Sequence, residues 1–204
     1  MAADRLTCCK RTIRVKLTGS VSPAVRLQQP SKQKPGLTKW VVVSRAESII
    51  PNKWGDDAIE LPGSRMLLDE VVRAKVPWAI VTSGTRPLVN GWLDIMNLAH
   101  PKHLVTAEDV EKGKPDPACY LLGQKRLGLP REASMLVLED APAGIRAGKA
   151  AGFKVVAVAT SHTIEQLRAA EPDWIVRDLR SVTLEKFDKG SGEVKVVISH
   201  ALEP

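Results

Sequence analysis

The sequence predicts an α/β fold, a mostly parallel sheet flanked by helices, and three observations carry that expectation. From about residue 47 onward, strand-like apolar runs alternate with helix-like amphipathic stretches, the pattern of parallel strands joined by right-handed crossovers. Some strand candidates, such as VPWAIV at 76–81, are continuous apolar runs, as expected of strands buried on both faces. Polar groups suited to phosphate stand just after such runs or in a loop that follows one, where an open parallel sheet places its ligand site.

Taken in order, residues 1–38 show no sustained period and are broken by Pro23, Pro30, Pro35 and Gly36, so they read as loop. The β-branched run 40–43 (WVVV) is a short strand candidate. Pro62, Gly63 and Ser64 open a helix whose apolar face is Leu67, Leu68, Val71 and Val72. After the strand at 76–81, Pro87 begins a helix facing inward through Val89, Trp92, Leu93 and Met96. Strand candidates at 103–106, 135–138, 155–159, 174–176 and 194–198 alternate with helices at 117–127, at 142–151 and around Ile164 and Leu167. Gly128 and Pro130 stop the first of these helices. Small residues Ala143, Gly144, Ala147, Gly148 and Ala151 let the second approach a sheet closely. No internal repeat is present.

The 204 residues, 44% apolar, suffice for one domain with a real core. Three cysteines, Cys8, Cys9 and Cys119, are too few for a disulfide framework and point to a reducing compartment. Cys8 and Cys9 have no His or Cys partner at metal-ligand spacing. The apolar runs, 40–43 and 76–81 among them, are all too short to cross a membrane. The expectation is a soluble, cytoplasmic protein. The net charge of +7 is uneven, because residues 1–45 hold ten of the thirty Lys and Arg and one of the twenty-three acids, which gives +9 there and −2 in the remainder. A segment of that kind fits a solvated, irregular tail, a mitochondrial presequence, or a site for nucleic acid or acidic lipid. The lack of interleaved aromatics before Trp40 makes nucleic acid an unfavoured partner. The expected division is therefore a basic segment at 1–45 and an α/β core at 46–204.

Three stations carry the chemistry. The hydroxyls of Thr82 and Ser83 follow the run 78–81, Lys114 sits in GKPDP, and Glu139 and Asp140 close the run 135–138. Hydroxyl, ammonium and paired carboxylates converging at one sheet end suit a phosphate group and a divalent cation. With their flanks, AIVTSGTR (79–86), EDVEKGKPDP (108–117), VLEDAPAGIRAG (137–148) and AGFKVVAVATSH (151–162), these segments closely resemble the haloacid dehalogenase superfamily of phosphatases. The last two segments resemble the branch of polyol- and sugar-phosphate phosphatases, such as glycerol-phosphate and 2-deoxyglucose-6-phosphate phosphatases. The likeness runs from about Glu47 to about Leu184. It implies a Rossmann-like core, a small phosphorylated metabolite as partner and Mg²⁺ as cofactor. It also implies that Thr82, with Ser83 beside it and Gly84 allowing close approach, holds the phosphoryl oxygens. Lys114 would balance charge, and Glu139 and Asp140 would serve Mg²⁺, one facing the metal and the other acting through water or by orienting Lys114. A bland alternative makes the acid pair a helix cap.

The sequence departs from the family at its first motif. No Asp-x-Asp-Gly-Thr precedes Thr82, so the nucleophile and the acid/base that split phosphoryl transfer into two steps are absent. The helical cap between the first two motifs is limited to about residues 46–60, a remnant, with Asp56 and Asp57 at its end. The resemblance thus implies a truncated core, with Mg²⁺ binding weak or lost. The missing strand would lie mid-sheet, between the strands ending at Thr82 and Glu139. The run 40–43 could fill that gap, with Ser44 near the nucleophile's place. Four readings stay open: a family member with a replaced N-terminal part, a non-catalytic phosphate-binding or protein-interaction relative, a phosphatase with an unrecognised nucleophile, and a basic-headed nucleic-acid binder.

Overall fold

A computed structural model describes residues 11–16 and 37–202. In chain order the elements are β1 (Arg11–Lys16), α1 (Leu37–Glu47), α2 (Ile49–Trp54), α3 (Ser64–Ala74), β2 (Ala79–Val81), α4 (Arg86–Ile95), β3 (His103–Val105), α5 (Ala118–Arg126), β4 (Leu136–Glu139), α6 (Pro142–Ala150), β5 (Lys154–Val158), α7 (Ile164–Arg168), β6 (Trp174–Val176), β7 (Val182–Asp188) and β8 (Glu193–Ile198). The architecture is α/β, with parallel strands and flanking helices.

The parallel strands fall into two pieces. In one, β2 pairs with β3, Ala79 opposite His103 and Val81 opposite Val105. In the other, β4, β5 and β6 pair in that order. No described strand joins β2 to β4. This is the place expected to lack a strand, and the run 40–43 does not fill it. Those residues lie inside helix α1 instead, with Val41 and Val42 59% and 66% exposed. A four-residue apolar run does not separate strand from helix by periodicity, and length arbitrates here. The run continues without a breaker into an eleven-residue helix. Ser44 therefore stands on α1 and not in the gap.

Burial explains the strands that do form. Along β5, Val155 and Ala157 join one apolar cluster with Val105, Val137, Ile145, Leu167 and Ile175. Val156 and Val158 join the other, with Leu67, Val176, Val182, Val196 and Ile198. Alternate residues of a strand face opposite sides, so β5 is covered on both and reads as a continuous apolar run.

A third sheet, antiparallel in the order β1, β8, β7, lies beside the second cluster. It corrects one expectation and adds a strand that the sequence did not announce. Residues 11–16, read as loop, form a strand paired with β8, Arg11 opposite Ile198 and Lys16 opposite Glu193. Residues 182–188 are β7, joined to β8 by a turn in which Gly192 takes φ +68° and the Asp188 carboxylate accepts the Gly190 and Ser191 amides. Both strands mix polar and apolar residues and carry none of the fully buried signal of β5. Cys8, Cys9 and most of the basic segment lie outside the described residues.

Two close contacts position the helices around the site. Gly63 holds φ +89°, and a Cβ there would sit 2.3 Å from the Arg180 amide, so only glycine lets the start of α3 approach that backbone. Gly91 of α4 has Pro51 of α2 against it, 2.8 Å from where a Cβ would be. The stretch 46–60, expected as a cap remnant, holds the end of α1, all of α2 and the turn 55–57, and α1 and α2 both pack on α4. No helix among the described residues is long and apolar enough to cross a membrane.

Candidate phosphate site

Thr82 extends the pairing of β2 by one residue, its amide donating to Val105 O at 2.9 Å. Its hydroxyl then accepts the Gly84 amide at 3.1 Å, which closes a tight turn. Gly84 O accepts from the Ala107 amide at 3.2 Å, tying this turn to the one after β3. Helix α4 follows at once. Its first amides are covered by carboxylates, Thr85 N donating to Glu47 Oε2 at 2.8 Å and Arg86 N to Glu108 Oε1 at 3.0 Å, the charge that a helix amino terminus favours. Ser44 Oγ also donates to Glu108, at 3.3 Å. Burial pushes the Glu108 carboxyl up, yet hydrogen bonds from Thr106, the backbone amides and Ser44 outweigh it and hold Glu108 below the usual range.

The second station bridges the divided sheet. Lys114 Nζ donates to Val81 O at the end of β2, 3.3 Å away, and pairs with the Glu139 carboxylate at the end of β4. Both side chains are nearly sealed, 12% and 7% exposed. Tyr120 of α5 donates its hydroxyl to Glu139 Oε1 at 2.7 Å, and its ring centre lies 5.1 Å from Nζ. Burial and the Glu139 charge raise the Tyr120 pKa, which keeps the phenol a neutral donor. Glu139 Oε2 accepts the Asp140 and Ala141 amides at 3.1 and 3.2 Å, at the start of α6. Glu139 therefore orients Lys114 and caps a helix at once.

Asp140 turns elsewhere. Its Oδ2 accepts Ser161 Oγ at 2.8 Å, and its backbone carbonyl lies 3.0 Å from His162 Nδ1. Thr82, Ser83 and Lys114 line one cleft of about 280 Å³ together with Trp40 of α1, Val110 and Cys119. Glu139 and Asp140 are not among its lining residues. Sequence reasoning missed Tyr120, Ser161, Glu108, Glu47 and the approach of Trp40. Tyr120 is the only tyrosine in the chain, but its role emerges only when α5 is laid against β4.

Magnesium fits this arrangement poorly. A bound Mg²⁺ takes one or two carboxylates and keeps several waters. Here Glu139 is taken up by Lys114, Tyr120 and two amides, which leaves Asp140 as the one acid at the strand end. Among the described residues no three His, Cys, Asp or Glu side chains gather as a metal site. The residues present do not make a magnesium site on their own.

The turn beside the cleft carries a pH-dependent lock. Burial pushes the Asp109 carboxyl up, but hydrogen bonds from Arg126 and Thr106 prevail and hold it at about 2, below the ordinary 3.8. A carboxyl depressed on folding stabilises the fold above its unfolded pKa, and that contribution is lost as pH falls from about 4 through about 2. The full linkage value is roughly 2 kcal/mol, and solvent around the partly exposed Arg86 and Arg126 reduces it to about 1. Urea melts at pH 6, 4 and 2.5 should show that loss in the parent chain and a smaller one in Asp109→Asn. Identical pH profiles would contradict this assignment.

Comparison with known proteins places this geometry. A family model described as haloacid dehalogenase-like hydrolase matches residues 31–158. The match begins ahead of Glu47 and so takes in α1. Glycerol-1-phosphate phosphohydrolase 1 of Saccharomyces cerevisiae is 38% identical over 167 residues, 78% of this chain and 67% of that protein. Hexitol phosphatase A of Escherichia coli is 44% identical over 131 residues, 64% of this chain and 59% of that protein. The crystal structure of a hydrolase from Pseudomonas syringae superposes with a TM-score of 0.58 at 27% identity, covering 67% of this chain and 62% of that one. The chain spans about two thirds of the length of the curated relatives it matches. On the family match over residues 31–158 and the 38% identity to a relative covered to 67%, the chain belongs to the haloacid dehalogenase-like hydrolase family.

Proposed function

We propose that this chain binds phosphate monoesters of small sugars or polyols in the Thr82–Lys114 cleft and, as it stands, does not hydrolyse them. One observation carries the reading: Lys114 is held across the ends of β2 and β4 with two of its three donors engaged, by Val81 O and Glu139. An ammonium has three donors, so the third is left for a phosphate oxygen beside the Thr82 and Ser83 turn. The relatives named for glycerol 1-phosphate, hexitol phosphate and 2-deoxyglucose 6-phosphate support the ligand class.

Among the described residues, turnover lacks a nucleophile. No aspartate lines the cleft among the described residues, and its one acidic lining residue, Glu111, is exposed and follows no strand. Burial raises the Cys119 thiol pKa, which disfavours the reactive thiolate. Among the described residues no carboxylate or imidazole hydrogen-bonds Ser83 to activate it. General acid/base assistance, worth roughly 10²–10⁴-fold, is therefore missing along with the attacking group. Calorimetric titration with inorganic phosphate and with glycerol 1-phosphate tests the binding. Saturable binding, little changed by Mg²⁺ and weakened at least about tenfold by Ser83→Ala with Thr82→Val, is the expected result, roughly 1.4 kcal/mol. Absence of binding at tens of millimolar, or Mg²⁺-dependent release of phosphate, would overturn it.

A further inference from the structure

A second cleft, of about 320 Å³, lies along the outer side of β3 and shares no lining residue with the first. Arg86, Asn90, His100, Lys102, His103 and Arg126 line it. Every charged side chain in that lining is a cation. The compensating acid stands behind it: Asp109, 16% exposed, is shared between Arg86 Nη2 at 3.1 Å and Arg126 Nη2 at 2.6 Å. Two guanidiniums thus divide one carboxylate, which also fixes both planes. Lys102 is exposed and has no ion pair among the described residues. At the rim, His100 Nε2 meets Asp94 at 2.9 Å.

This concentration does not follow from the overall charge. The chain beyond residue 45 carries −2, and the described acids that face these cations are Asp109 and Asp94. Two forked guanidiniums, an ammonium, two imidazoles and the Asn90 amide around one cavity suit a compact dianion, because planar guanidinium pairs match phosphate or sulfate oxygens. The potential registers on His103, whose pKa is lowered by burial and by the neighbouring Lys102 and Arg126.

We propose that this cleft is a second anion site, which takes the phosphate or sulfate group of a small dianionic ligand independently of the Thr82–Lys114 cleft. Its occupant would compete with Asp109 for Arg86 and Arg126. Asp109 ends the turn 107–109, and Ala107 and Val110 line the first cleft, so the two clefts share a wall.

Histidine NMR reads the site directly, since the chain has four histidines and two of them line this cleft. Inorganic phosphate is titrated into the full chain at constant ionic strength, with chloride as the control. The His103 and His100 ring signals should shift saturably, and the His103 pKa should rise as the bound anion offsets its cationic neighbours. Lys102→Ala, at an exposed position, should weaken that response at least fivefold, while Thr82→Val with Ser83→Ala should leave it intact. A response equal in chloride, or unchanged in Lys102→Ala, would overturn the proposal. So would one lost with the Thr82 and Ser83 changes, because His103 would then be reporting the first cleft.

Discussion

Lys114→Ala is expected to abolish phosphate binding in the Thr82–Lys114 cleft and to lower the stability of the fold by about 3 kcal/mol, the range for removing one partner of a buried ion pair. The pair is sealed on both sides, and Lys114 is the one described side chain that spans the ends of β2 and β4. Its loss leaves Glu139 with Tyr120 and two amides as donors and no cation. Stability and binding can be separated. Lys114→Met together with Glu139→Gln removes both charges and should recover most of the stability, because a buried pair replaced as a unit is often near neutral. Phosphate binding in the Thr82–Lys114 cleft should stay lost. Urea melts and phosphate titrations on the three chains decide the matter. A Lys114→Ala chain as stable as the parent would show that Glu139 does not depend on this ammonium.

Gly144→Ala is expected to disable the same site from the other side. Gly144 lies in α6, where a Cβ would fall 2.1 Å from both Cδ and Oε1 of Glu139. No side chain tolerates that approach, so the carboxylate must leave its bonds to the Asp140 and Ala141 amides, to Tyr120 and to Lys114. Alanine is favoured over glycine in a helix interior by about 1 kcal/mol, whereas hydrogen bonds to a buried charge contribute about 1.5–3 kcal/mol each. The net should be a loss of about 2–3 kcal/mol, with phosphate binding reduced as Lys114 loses its anchor. An unchanged melting midpoint would place Glu139 away from α6.

Much of this was readable in the sequence. The strands β2, β4, β5 and β6 announce themselves as continuous apolar runs, since they are buried on both faces or lie against helices. The start of α3 follows from Pro62, Gly63 and Ser64. Thr82, Lys114 and Glu139 were also legible, because each stands just after a strand or in a loop that follows one. The divided sheet was foreseen from the missing first motif. What escaped has physical reasons. The run 40–43 is too short to show a period, so the sequence offers it as a strand, with Ser44 a candidate for the gap. Strands β1 and β7 belong to an antiparallel sheet with mixed polar and apolar residues, so neither gives a continuous signal. Tyr120 and Ser161 act across elements, on Glu139 and Asp140, and no spacing in the chain encodes those contacts.

The division of labour at Glu139 and Asp140 was half legible for the same reason. That two adjacent acids would part to opposite faces, one of them placed to orient Lys114 or to act through water, follows from strand geometry. That the same carboxylate also holds the first amides of α6 depends on the bare Cα of Gly144.

The most direct test of the account measures binding and turnover on one preparation of the full chain, with small sugar and polyol phosphate monoesters and Mg²⁺ present. Saturable binding in the Thr82–Lys114 cleft that disappears in the Lys114→Met, Glu139→Gln chain is expected, with no release of inorganic phosphate above the uncatalysed rate. Phosphate release that depends on Mg²⁺ and vanishes with Lys114 would contradict it, since a nucleophile would then be acting where none is assigned.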